Sequence, residues 1–191
     1  MPHISILSSS VRTERKSHTV ALYFENYLAE HNLATTQILD LKAYDFPVFE
    51  DTLKVQKNPS EKVLDFAAKI KSSDGIIVVT PEYNGGYPAS LKNAIDLLYD
   101  EWQGKPIALC TVSAGPLGGS QALVALQFVF WKIGANTITG MFCVSDVAKT
   151  FDHTGKPSDK TLTNQMAKTF VKKLIQAIDT NQQPKPNNPS K

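Results

Sequence analysis

A chain of 191 residues has room for one well-filled core and little for a second, since domains commonly run to roughly 100 to 200 residues. Forty-two per cent apolar residues, in short runs between polar turns, suit a globular protein, and no run approaches the ~20 residues of a membrane span. Its 20 basic and 18 acidic side chains are interspersed to a net charge of +2, and Arg12–Lys16 and Lys172–Lys173 are too small and too mixed to track a nucleic acid.

The first residues, Met1 to Leu7, lack the basic flank and long apolar block of a secretory signal, so the expectation is a cytoplasmic protein. Cys110 and Cys143 each lie in an apolar run without a CxxC or Cys/His spacing, which reads as two buried thiols and no metal site. Residues 3–8 are β-rich, and Val20, Phe24, Tyr27 and Leu28 follow at helical spacing. Thr35 to Leu41 reads as a second strand, followed by the aromatic loop Asp45–Asp51. Asn58, Pro59 and Glu61 then suggest a helix with Asn58 as its cap and Val63, Phe66, Ala67 and Ile70 as its buried stripe. Gly75 to Thr80 is apolar on both faces, as a covered central strand should be. Leu91, Ala94, Ile95 and Leu98 mark a helix, Pro106 to Val112 a strand, Ala122 to Trp131 a helix apolar nearly all round, Ile138 to Val144 a strand interrupted by Gly140, and Leu162 to Ile178 a closing helix.

Five strand–helix alternations imply a three-layer α/β/α sandwich on a parallel sheet, with the flavodoxin-like order 2-1-3-4-5. The expected division is one domain over residues 1–180 and a mobile polar, proline-rich tail over 181–191. In such a sheet, ligands sit outside the carboxyl ends of the strands where the order reverses. Loops after strands one, three and four should therefore converge.

The first of these loops, Ser8 to Thr19, offers hydroxyls and Arg12 before a helix N-terminus, where free amides and the helix dipole favour an anion. It reads equally as an ordinary turn capped by Ser17 or Thr19. The second, Pro81-Glu82-Tyr83-Asn84-Gly85-Gly86-Tyr87-Pro88, combines glycines that allow close backbone approach with side chains that would line a slot, and sets Pro88 at the first turn of the next helix. The third, Ser113 to Ser120, is again glycine-rich.

These residues resemble the NADPH-dependent FMN reductase family of the flavodoxin-like superfamily. Ser10-Val11-Arg12 with Ser17 and Thr19 is similar to its phosphate signature; Pro81 to Gly85 with Pro88 to Asp96 is similar to its flavin-ring loop and following helix; Ser113, Gly115, Gly118 and Gly119 are similar to its third loop. The likeness runs from residue 1 to about 178, and the PEYNG…P…LKNAID string carries it. Departures are Ser9 in place of a usual glycine, Thr19 in place of a usual asparagine, and a segment Thr13–Lys16 longer than the common spacing.

The resemblance implies non-covalent FMN held by Ser10, Arg12, Ser17, Thr19, Pro81, Glu82, Tyr83, Asn84, Gly85, Ser113, Gly115, Gly118 and Gly119, with NADPH or NADH as hydride donor. It implies a small acceptor such as a quinone, azo or nitro compound, metal ion or free flavin, and no catalytic acid or base, because the flavin carries the chemistry. A homodimer, or a tetramer, is expected from the apolar helix together with Leu97 and Tyr99, and Phe46, Val48, Phe49 and Tyr87 are expected at the lip of the acceptor pocket. The rival reading is a flavodoxin-like electron carrier or flavin sensor without pyridine-nucleotide activity; carriers are usually markedly acidic, unlike this chain.

Overall fold

The computed structural model describes residues 1–183. In chain order it contains β1 (His3–Ser8), α1 (Ser17–Glu30), β2 (Thr35–Asp40), α2 (Leu41–Tyr44), α3 (Glu61–Ser72), β3 (Gly75–Pro81), α4 (Ala89–Asp96), a 3₁₀ turn (Asp100–Trp102), β4 (Pro106–Val112), α5 (Ser120–Lys132), β5 (Asn136–Val144), α6 (Val147–Thr150) and α7 (Lys160–Gln182). The sheet order is β2-β1-β3-β4-β5 and every pairing is parallel, as the alternation of elements predicts.

Alternate residues of the central strands feed two separate cores. Ile4, Ile6, Ile77, Val79 and Cys110 pack under α1 and α7, while Leu7, Ile76, Val78, Ile107 and Leu109 pack under α3, α4 and α5. Every residue of β3 and β4 is buried, which is why both read as unbroken apolar runs rather than alternating ones. Each fully buried Ile, Val or Leu contributes about 1.5–3 kcal/mol, so the two cores hold the sheet that sets the loops.

Several local expectations are corrected. Ser60, not Asn58, caps α3: its hydroxyl accepts from the Val63 amide, and starting at Glu61 puts an acid in the first turn with Lys69 and Lys71 in the last, all favourable to the helix dipole. Pro88 occupies the cap position of α4 with extended backbone, one residue before the helix begins. The second strand ends at Asp40, because the Asp40 carboxylate caps α2 by accepting from the Lys42 amide, which turns Leu41 into helix. On β5, Thr137 to Met141 spans the same stretch as Ile107 to Leu109 on β4, a bulge that contains Gly140. A Cβ on Gly140 would lie 3.1 Å from Lys173 Cδ of α7. Helix α7 takes in Asn181 and Gln182, assigned to the tail from sequence, and the rest of that expected tail, 184–191, lies outside the described residues.

The aromatic loop after α2 is held against the core. Phe46 stacks on Tyr44 at 5.1 Å between ring centroids and meets Phe66 edge-on, and Phe49 and Tyr87 are partly buried against the same core. Asn93 of α4 clamps this loop, accepting from the Phe49 amide at 2.6 Å and donating to the Pro47 carbonyl at 2.8 Å. Of the four residues expected at a pocket lip, only Val48 is largely exposed.

Candidate functional site

The strand order reverses between β1 and β3, so their carboxyl ends flank a crevice. Into it run Ser9 and Ser10 from one side and Glu82 and Tyr83 from the other. Ser10 Oγ and Tyr83 Oη share a hydrogen bond of 2.8 Å, which ties the first loop to the second. The Ser90 hydroxyl of α4 donates to the Ser9 carbonyl at 2.7 Å and fixes the first loop from behind. A cleft of about 180 Å³ results, lined by Ser10, Arg12, Ser17, Pro81, Glu82, Tyr83 and Ser113 among the expected residues, and also by Arg15, Val112 and Val147.

The start of α1 has the chemistry of an anion seat. Its cap residue, Lys16, contributes no side-chain bond to the first turn. The buried hydroxyls of Ser9 and Ser17 have no hydrogen-bond partner among the described residues. An unpaired buried hydroxyl costs about 1–3 kcal/mol, so Ser17 in the first turn of α1 calls for a group to bond with, and a phosphate ester supplies several acceptor oxygens; Ser9, just after β1, is a second unpaired hydroxyl in the same loop. The residues therefore fit a phosphorylated flavin. Arg12, exposed, lies with its guanidinium 5.7 Å from the Tyr83 ring centroid and pairs with no carboxylate among the described residues.

Not every expected residue reaches the cleft. Thr19 turns back on its own helix start, its hydroxyl donating to the Lys16 carbonyl at 2.7 Å. Asn84 and Gly85 form the exposed tip of a tight turn in which Tyr83 and Gly86 exchange backbone hydrogen bonds of 2.7 and 3.0 Å. Both tip residues have positive φ, 52° and 76°, as a type I′ turn demands. The left-handed positions are thus Asn84 and Gly85, whereas Gly86 has ordinary backbone.

Gly115 folds onto the Ser113 hydroxyl, and Gly118 and Gly119 are buried against the ends of β4 and β5. The third loop thus shapes the site through its backbone, with Ser113 as its expected residue at the cleft.

Arg15 and Asp40 were missed, and the contacts made by the expected Glu82 and by His18 were not foreseen, because their partners lie ten or more positions away in sequence. The Glu82 carboxylate accepts from the amides of Gln121 and Ala122 at 3.0 and 3.2 Å, so it caps α5 and joins the second loop to the third. His18 Nδ1 lies 2.9 Å from Ser8 Oγ, and burial followed by the nearby Arg15 charge holds its imidazole below its usual range. Arg15 forks onto Asp40 at the end of β2. Burial alone would raise the Asp40 carboxyl, but hydrogen bonds from Arg15 and the Lys42 amide keep it below the ordinary carboxylate range. Asp40 was legible in principle, since it is the register partner of Ser8 on the neighbouring strand.

The model of the family described as NADPH-dependent FMN reductase matches residues 2–149. An NAD(P)H-dependent FMN reductase of Saccharomyces cerevisiae is 34% identical over 72% of this chain and 78% of its own. A quinone reductase of Pseudomonas putida is 31% identical over 93% of this chain and 95% of its own. Among solved structures, a flavoenzyme NAD(P)H:(acceptor) oxidoreductase from Paracoccus denitrificans superposes with a TM-score of 0.80 at 22% identity, covering 95% of this chain and 99% of that one, a likeness of fold.

Proposed function

The chain belongs to the NADPH-dependent FMN reductase family, and from that premise we propose that its three-loop cleft seats FMN and passes electrons from NAD(P)H to a small quinone-type acceptor. The observation that carries the reading is the partnerless buried hydroxyl of Ser17 at the uncapped start of α1, lining the cleft with Ser10, together with a second partnerless hydroxyl, Ser9, at the end of β1. Bound there, the flavin supplies the hydride-accepting ring, and no side chain has to act as acid or base. Ser10, Ser17 and the α1 amides hold its phosphate, and Arg12 adds a countercharge from the mouth. Tyr83 and the turn it begins, together with Ser113, border the space for the ring. A quinone is favoured as acceptor because related chains of similar length carry that name.

The test is spectroscopic. Purified protein is expected to carry, or to take up from added FMN, a visible flavin band, and to lose that band under anaerobic NADPH at a rate on the order of 1–10³ per second. A band that persists with both NADPH and NADH would favour the electron-carrier alternative. A colourless protein unresponsive to FMN would remove the flavin reading.

The same reading includes a homodimer. Leu117, Val124, Phe128 and Trp131 are exposed along the third loop and α5, the last three at 64, 64 and 68%, and Met141 of β5 is also exposed. Phe128 and Trp131 pack ring to ring at 5.8 Å on this face. Leu97, grouped with them from sequence, is instead buried in the core, whereas Tyr99 is exposed. A second copy would cover this stripe next to the cleft, since an exposed aromatic face of this kind marks an association surface. Light scattering at micromolar concentration is expected to give twice the chain mass, and Phe128→Glu to give the single mass; a monomeric wild type would refute the dimer.

A further inference from the structure

We infer that Asp40 is a positioning residue for the phosphate end of the flavin: through Arg15 it holds the β1–α1 loop in the shape that presents Ser10, Ser17 and the α1 amides, without touching the ligand itself. The inference rests on the reading of the cleft as an FMN site.

The loop needs such a tether. Val11, Arg12, Thr13, Glu14 and Lys16 are all exposed, with no regular element to hold them between β1 and α1. Arg15 is the exception, its side chain only 13% exposed although it borders the cleft. Both of its terminal nitrogens are committed: Nη1 and Nη2 bond the two Asp40 oxygens, the latter at 2.5 Å, and Nη1 also donates to the Ser10 carbonyl at 3.0 Å. The guanidinium fork thereby fixes the backbone of a residue expected to bind phosphate. This rigid two-point geometry is one that lysine cannot reproduce.

Asp40 is itself immobile. It ends β2 in register with Ser8, and its Oδ1 accepts from the Lys42 amide at 3.0 Å where α2 begins. Lys42 adds a weaker tie, its ammonium 3.4 Å from the Arg12 carbonyl. One carboxylate on the neighbouring strand therefore anchors both the end of that strand and the loop across from it.

Electrostatics alone would not place a carboxylate here. A negative charge beside an anion seat weakens anion binding, and removing it would free Arg15 to approach the phosphate. Positioning predicts the opposite sign, so one substitution separates the two effects. In Asp40→Asn the amide oxygen still accepts from Lys42, so α2 keeps its cap. What is lost is the charge-assisted fork.

The experiment titrates flavin-free protein with FMN and, separately, with riboflavin, following quenching of flavin fluorescence, for wild type, Asp40→Asn and Arg15→Lys. Positioning requires that Kd for FMN rise about tenfold or more in both variants, the scale on which losing a partner behind a ligand acts, while Kd for riboflavin, which lacks the phosphate, stays at its wild-type value. Tighter FMN binding in Asp40→Asn, or no change, would overturn it. So would an equal loss of both flavins, which would make the pair a general scaffold. A wild type that binds both flavins without preferring FMN would instead remove the phosphate seat, and the inference with it.

Discussion

Gly118→Ala is expected to destabilise the protein by roughly 3 kcal/mol, a sum of about 1–2 kcal/mol for a left-handed non-glycine residue and 1–3 for overpacking. The backbone of Gly118 has φ +60°, and a Cβ there would lie 2.9 Å from Cys143 Cβ, 3.1 Å from the Cys143 carbonyl carbon and 3.3 Å from the Val144 amide nitrogen. Two of these three atoms are backbone of β5, locked to β4 by the pairs Thr111↔Cys143 and Val112↔Val144, so the strand cannot step aside. The Thr111 hydroxyl holds the loop from the other side, donating to the Gly118 carbonyl at 2.7 Å. For a domain of this size each kcal/mol lowers Tm by about 2–4 °C, so a fall of about 6–12 °C is expected. Gly104→Ala is the control: its φ is +68°, but nothing lies within 4 Å of the added Cβ. It should cost only the conformational part, about 1 kcal/mol. Equal losses at both sites in urea unfolding would show that the close approach to β5 contributes nothing.

The sequence exposed features whose cause is local or periodic. The continuous apolar runs of β3 and β4 announce strands buried on both faces, and with the strand–helix alternation they lead to the observed sheet order. The convergence of three loops followed from that order, because parallel strands all end at one edge. What stayed hidden is what joins those loops. Asp40 and Arg15 are 25 positions apart and Glu82 lies 39 before Gln121, separations that no helical or strand period marks. Gly118 and Gly119 were expected at the site from the resemblance alone; the packing reason for them, Cys143 and Thr111 on the neighbouring strands that an added Cβ would strike, could not be read from the sequence. Phe46 was expected at a lip because its loop is richer in aromatics than a solvated connection needs; Tyr44 and Phe66 give it two ring partners, and it packs half-buried against the core. Choices between nearby caps, Asn58 against Ser60, rest on differences of a few tenths of a kcal/mol and are decided by how the whole helix docks.

Glu82→Ala is expected to cost about 1–3 kcal/mol and to slow the loss of the flavin band under NADPH, whereas Glu82→Gln retains most of both properties. The carboxylate is the side-chain acceptor for the first amides of α5, since Gly119, the cap residue, offers none. Alanine leaves the Gln121 and Ala122 amides without their acceptor, while glutamine still presents an amide oxygen in nearly the same place and forfeits mainly its charge at the helix start, about 0.3–1 kcal/mol. The second and third loops are joined at this point, because Glu82 also donates its own amide to the Val112 carbonyl at the end of β4. Loosening α5 therefore disturbs the junction of the second and third loops, from which Tyr83 and Ser113 border the cleft. A carboxylate lining the cleft proposed for flavin invites a different reading, that of a general base, and the glutamine variant separates the two because an amide cannot take up a proton. If Glu82→Gln lost the reduction rate while keeping its melting temperature and its flavin affinity, Glu82 would be acting on a proton. If Ala loses stability and rate together and Gln restores both, its work is to cap α5 and hold two loops in register.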